Sequence, residues 1–204
     1  MKKSIWLSFA VLCIVVGFYP FIYFLMDRKF GLLSTKSELL LANTIWNIGF
    51  YVHIIWGGVA LLVGWAQFSK KWRTKRLALH RLFGKIYVLS ALLSALGGIF
   101  IGIEATGGLV SQAGFISLGV IWFFTTLQAF LDIRKGNTHR HQKLMIFSYA
   151  ACFAAVTLRL WLPLLIMAHQ GNFVPAYRLV AWLCWVPNLL VAWVLVRRLG
   201  KGCV

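Results

Sequence analysis

The stretch TIWNIGFYVHIIWGGVALLVGWAQ, residues 44–67, decides the architecture, because it carries no Asp, Glu, Lys or Arg over its whole length. At about 1.5 Å of rise per residue a helix of this length exceeds the ~30 Å hydrocarbon core of a bilayer. Inside that core no water is present to bond backbone N–H and C=O groups, so the segment must satisfy them within itself, as a helix. Working outward, comparable apolar runs occur at 4–26, 82–103, 115–131, 142–168 and 176–196. The composition agrees: 61% of residues are hydrophobic and 12% charged, against roughly a quarter charged in soluble domains. The predicted fold is therefore all-α: a polytopic membrane protein with a single bundle of six transmembrane helices, forming one domain over residues 1–204. The connections near 27–43 and 69–81 are too short for a soluble domain.

The first run follows Met1-Lys2-Lys3, but it is longer than a signal-peptide core and lacks an Ala-x-Ala-like cleavage site, so it reads as a retained helix. Twenty-one Lys and Arg against four Asp and Glu give a net charge of +17. These cations are distributed by loop rather than gathered on one face, which excludes nucleic acid as the partner and sets orientation instead. With six helices threaded, Lys2, Lys3, the cluster Lys70–Lys85, Arg134–Lys143 and Arg197–Lys201 share one side. Arg28, Lys29, Lys36 and Arg178 take the other. The positive-inside rule then places both termini in the cytoplasm and the protein in the bacterial inner membrane. Anionic lipid is a further expected partner of the segment from Lys70 to Lys85. Cys13, Cys152, Cys184 and Cys203 show no paired spacing that suggests zinc or a disulfide.

Polar residues inside such runs are candidate functional groups, since lipid penalises them. His53 and Arg159 each lie about 14 Å below the outer end of their span, and Asn188 comes within a turn of that depth. A midplane cluster of imidazole, guanidinium and amide is expected, binding a small anionic or amphipathic molecule. Glu104 is the nearest carboxylate to Arg159 by this reckoning. Gly49 and Gly57 flank His53 by one turn on either side. That bare patch takes either a packed neighbouring helix, to which His53 hydrogen-bonds, or a flat ligand. Ser90, Ser94, Gly98 and Gly102 form a small-residue strip on the third run, which allows close helix approach. Pro20, Pro163 and Pro187 interrupt spans, and kinks are expected there.

His80 and His141 open the third and fifth runs at matching depth on helices of the same direction. Facing imidazoles of this kind hold haem b in helical bundles, and Arg81, Lys85, Arg140 and Lys143 offer cations for its propionates. His139 reads as solvated and His169 as capping the outer end of the fifth run. There is no phosphate loop, nucleophile elbow, His-Glu-x-x-His motif or carboxylate pair, so hydrolysis is excluded and any enzymatic role is that of a membrane oxidoreductase component.

Three motifs, Leu79-His80-Arg81-Leu82-Phe83-Gly84-Lys85-Ile86-Tyr87, His141-Gln142-Lys143-Leu144-Met145 and Thr157-Leu158-Arg159-Leu160-Trp161-Leu162-Pro163, occur in order. Over residues 45–170 the chain resembles an uncharacterised bacterial family of predicted multi-pass membrane proteins. Where that family often has arginine or tryptophan near His141, this chain has Leu144 and Phe147. The resemblance implies topology and no activity. A looser likeness is to cytochrome b561-type bundles, in which His80 and His141 would correspond to the cytoplasmic haem pair. The fourth run has no histidine to face His53.

Three functional readings follow. The first is a b-type haem protein for transmembrane electron transfer or redox sensing, with His80 and His141 as iron ligands and Arg159 beside a quinone or substrate pocket. The second is a carrier or receptor using His53, Arg159, Asn188 and Glu104. The third is an assembly protein whose polar residues only fasten helices together.

Overall fold

A computed structural model describes residues 3–26 and 29–201. Met1, Lys2, Arg28 and Cys203, named above, lie outside the described residues. Six helical stretches are long and apolar enough to cross a membrane: Ser4–Leu25, Thr44–Phe68, Leu77–Gly102, Leu109–Arg134, Thr138–Ala168 and Phe173–Leu199. They are the first to sixth spans below. Several start earlier than hydropathy alone indicates, the third at Leu77 rather than 82 and the fourth at Leu109 rather than 115. Hydropathy marks where lipid lies, whereas the backbone ladder continues through polar turns: His80 N–H donates to the Arg76 carbonyl at 3.0 Å and His141 N–H to Asn137 at 3.0 Å. Large apolar side chains such as Leu7, Val15, Phe124, Leu164 and Leu190 are exposed along the spans, as a lipid solvent permits.

The chain forms two compact units, one running through Ile101 and one starting at Gly102. In the first unit the first and second spans cross where Gly17 meets Gly58. A Cβ on Gly58 would stand 2.6 Å from the Gly17 carbonyl oxygen and 3.1 Å from Pro20 Cγ. Pro20 sits in the 3-10 turn Tyr19–Phe21 that interrupts the first span. Its missing N–H costs least at the start of a helical turn. Beyond the break, Tyr23, Leu33, Leu41, Trp46 and Phe50 make a buried cluster. Its rings pack as an edge contact (Tyr23–Phe50, 5.3 Å) and a stack (Trp46–Phe50, 5.5 Å). Asn43 caps the second span, accepting the Trp46 N–H at 3.1 Å on its side chain.

In the second unit the fourth and fifth spans form an antiparallel hairpin. Asn137 N–H closes the turn onto the Asp132 carbonyl at 2.9 Å, and Gly136 takes the positive φ of 80° that the turn requires. Buried Thr126 and Ser148 join the two helices at 2.6 Å. The fifth span breaks at Phe153 and the sixth at Cys184–Trp185, dividing them into Thr138–Cys152 with Ala154–Ala168 and Phe173–Leu183 with Val186–Lys201. The breaks do not coincide with the prolines. Pro163 lies inside the unbroken helix Ala154–Ala168, and Pro187 follows the sixth-span break, in the first turn of the new segment, where it displaces no helical bond. Thr138–Cys152 packs on Val186–Lys201, and Ala154–Ala168 on Phe173–Leu183. The latter also meets the fourth span, where a Cβ on Gly114 would lie 2.7 Å from the Ala181 carbonyl oxygen.

Gly58→Ala is expected to destabilise by about 1–3 kcal/mol, because a backbone carbonyl rather than a movable side chain is in the way. Gly84→Ala, whose Cβ would meet only Gln67 Oε1 at 3.8 Å, is expected to be neutral or stabilising. Melting temperatures in detergent check the pair, and an unchanged value for Gly58→Ala would contradict the crossing described.

Candidate functional site

His53 lies half-buried on the second span, turned to the third. Its Nδ1 is 2.9 Å from the Ser94 carbonyl oxygen. A carbonyl only accepts, so Nδ1 is the donor in this bond. Ser94 Oγ returns a bond to the His53 carbonyl at 2.8 Å. The approach depends on glycines: a Cβ on Gly97 would lie 2.8 Å from the Gly49 carbonyl oxygen, and one on Gly98 2.9 Å from His53 Nδ1. Of the two expectations for the bare patch, the structure has the packed helix. Ser90–Ser94–Gly98 is the face it uses, with Ser90 and Ser94 fully buried.

His141 sits at the start of the fifth span, half-buried, with Nδ1 2.8 Å from the Ala129 carbonyl oxygen. By the same reasoning Nδ1 is the donor here. Beside it is a carboxylate that sequence reading counted only as one of four acids. Asp132 is 1% exposed, accepts Gln128 Nε2 at 3.2 Å and lies 3.2 Å from Arg140 Nε. The available signal was spacing: Gln128 and Asp132 are one turn apart, and Gly136-Asn137 turns the chain before Arg140.

His80 is half-buried at the start of the third span. At about 100° per residue, Gly84, Tyr87, Ala91 and Ser94 follow it along one face. Tyr87, Ala91 and Ser94 are fully buried there, while a Cβ on Gly84 would make ordinary contact with Gln67 Oε1 at 3.8 Å. Arg81 and Lys85, about 100° and about 140° around the helix from His80, are exposed.

The remaining candidates are engaged with backbone. Arg159, half-buried, donates from Nη1 to the Ala155 carbonyl of its own helix at 2.8 Å. Asn188 Nδ2 reaches the carbonyls of Cys184 at 2.9 Å and Ala150 at 3.3 Å and the Thr157 hydroxyl at 3.1 Å. Thr157 in turn donates to the Cys184 carbonyl. Thr157, quoted above only as part of a motif, is thus the centre of the bond network at the paired breaks. Glu104 is exposed at the turn ending the third span, and His169 Nδ1 bonds the Leu165 carbonyl at 2.8 Å. His53 belongs to the first unit, and Arg159 and Asn188 to the second. Among the described residues, no three of His, Cys, Asp or Glu gather as a metal site.

Six membrane-length helices, tied together by polar side chains on backbone carbonyls, define a polytopic helical membrane protein. The chain belongs to DUF2306, a family of predicted membrane proteins, which it matches over residues 50–196. That match takes in the second to sixth spans and the three motifs. No curated protein and no solved structure matches it.

Asn188→Leu and Thr157→Val are each expected to lower stability by about 1 kcal/mol, with a coupling of similar size between them. A double-mutant cycle on thermal unfolding checks this. Additive effects would mean that the two side chains act independently.

Proposed function

We propose that the protein is a b-type haem membrane protein serving electron transfer or redox sensing, in which His141 would hold the haem iron and His80, in the first unit, is a separate candidate ligand. The observation that carries this reading is the Nδ1 bond from His141 to the Ala129 carbonyl oxygen at 2.8 Å. Metal-bound histidines commonly donate their second ring N–H to a backbone carbonyl, which fixes the tautomer, aims the ring and raises the basicity of the coordinating nitrogen.

The residues around His80 fit a flat ligand. Gly84, one turn on, has no side chain on the same face, and the nearest atom to its missing Cβ is 3.8 Å away. Arg140 and Lys143 flank His141 in sequence and bring positive charge for propionates. Arg140 is held in place by Asp132. Bound haem supplies a one-electron couple whose potential follows its axial ligands and the surrounding charge. The protein's part is to orient the imidazole and to exclude water through the apolar spans. His53 bears the same type of Nδ1 bond, but the helix crossing encloses it, which supports a packing role for that residue.

Protein expressed with haem precursors and purified in detergent is expected to show a Soret band and a reducible α band. His80→Ala and His141→Ala should abolish or shift these bands while the sample stays monodisperse, and His53→Ala should retain them. A colourless, folded wild-type preparation would overturn the reading.

A further inference from the structure

The third span presents two opposed faces. On one lie His80, Tyr87, Ala91, Ser94 and Gly98, against the rest of the first unit. The other is a ridge at seven-residue spacing, Leu82, Leu89 and Leu96, exposed by 52%, 55% and 52%. Residues seven apart stay on one face of a helix, and Arg81 and Lys85, one turn apart and both exposed, flank the head of this ridge, about 100° and about 60° around the helix from Leu82. A helix in lipid needs an apolar ridge to face acyl chains.

We propose that this ridge is a docking site for an anionic phospholipid, whose phosphate sits on Arg81 and Lys85 and whose acyl chain lies along Leu82, Leu89 and Leu96. Charge complementarity supports the choice of occupant. Residues 69–103 contain no Asp or Glu, so neither cation has a local carboxylate in competition with a headgroup. The connection just before adds Arg73, Lys75 and Arg76, all exposed, which raises the local positive potential. That connection is also anchored: Trp72 of the short helix Lys70–Lys75 stacks on Phe83 at 5.5 Å with the rings 25° apart. Phe83 projects from the side of the helix away from Arg81 and Lys85, so the anchor holds the basic segment at the span's end without covering the ridge. Juxtamembrane cations attract anionic leaflets generally; the pairing of two cations with a continuous exposed apolar track gives a site where one lipid is retained.

The test uses full-length protein, delipidated in detergent and titrated with phosphatidylglycerol or phosphatidylcholine. Bound lipid is counted by native mass spectrometry and stability followed by thermal melting. Phosphatidylglycerol should be retained and should raise the melting temperature, whereas phosphatidylcholine should not. R81Q/K85Q should melt like wild type without lipid and lose affinity for phosphatidylglycerol by on the order of tenfold. R134Q/R198Q, which removes exposed cations of the second unit, should keep wild-type affinity. Should the double variant not fold, R81Q and K85Q singly are each expected to show a partial loss. Equal stabilisation by the two lipids, undiminished binding in the Arg81 and Lys85 variants, or the same loss in R134Q/R198Q would overturn the proposal.

Discussion

The constraint on which the rest depends is that a polar group inside hydrocarbon must find its partner within the protein. In this chain the partner is repeatedly a backbone carbonyl. His53 uses Ser94, His141 uses Ala129, Thr157 uses Cys184, Asn188 uses Ala150 and Cys184, and Arg159 uses Ala155. A carbonyl on another helix can be reached by a short side chain only if the backbones come close, and that explains the glycines. Gly49 and Gly97 bring the second and third spans within reach of a His–Ser exchange, and Gly17 and Gly58 do the same for the first and second without any polar pair. Close approach and polar satisfaction are one design here, since a larger residue at Gly97 would separate the helices and leave His53 unserved.

This constraint also shapes the chemistry available to the histidines. An imidazole that donates from Nδ1 to a carbonyl has that nitrogen committed and its ring aimed by the bond. Three of the five histidines have that arrangement at Nδ1, namely His53, His141 and His169. Their settings differ. His169 bonds its own helix at a span end, His53 is enclosed by a crossing, and His141 stands at the mouth of a hairpin beside a buried carboxylate. Position therefore separates the ligand candidate from the fastener more clearly than residue type does.

The number and order of spans were legible because charge-free runs of this length admit few structures in lipid. Orientation of the bare patch around His53 was legible too, since Gly49, His53 and Gly57 fall on one face. Span starts were less so, because Arg76–His80 and Asn137–His141 continue the helical ladder with polar residues that hydropathy discounts. The breaks at Phe153 and Cys184–Trp185 were read at the prolines instead. A break there arises from side chains that capture carbonyls, above all Thr157 and Asn188, and local sequence does not reveal which carbonyl a distant side chain will take. Asp132 was overlooked for a similar reason: its burial follows from the hairpin's closure onto Arg140, not from its neighbours in sequence.

The paired breaks make the fifth and sixth spans into jointed struts beside a fourth span that runs unbroken from Leu109 to Arg134. Each joint divides its strut into an upper and a lower rod, and like rods are packed together, so the division continues from one strut to the next. The second unit is thus divided across both struts, with the dividing line drawn by two side chains, Thr157 and Asn188.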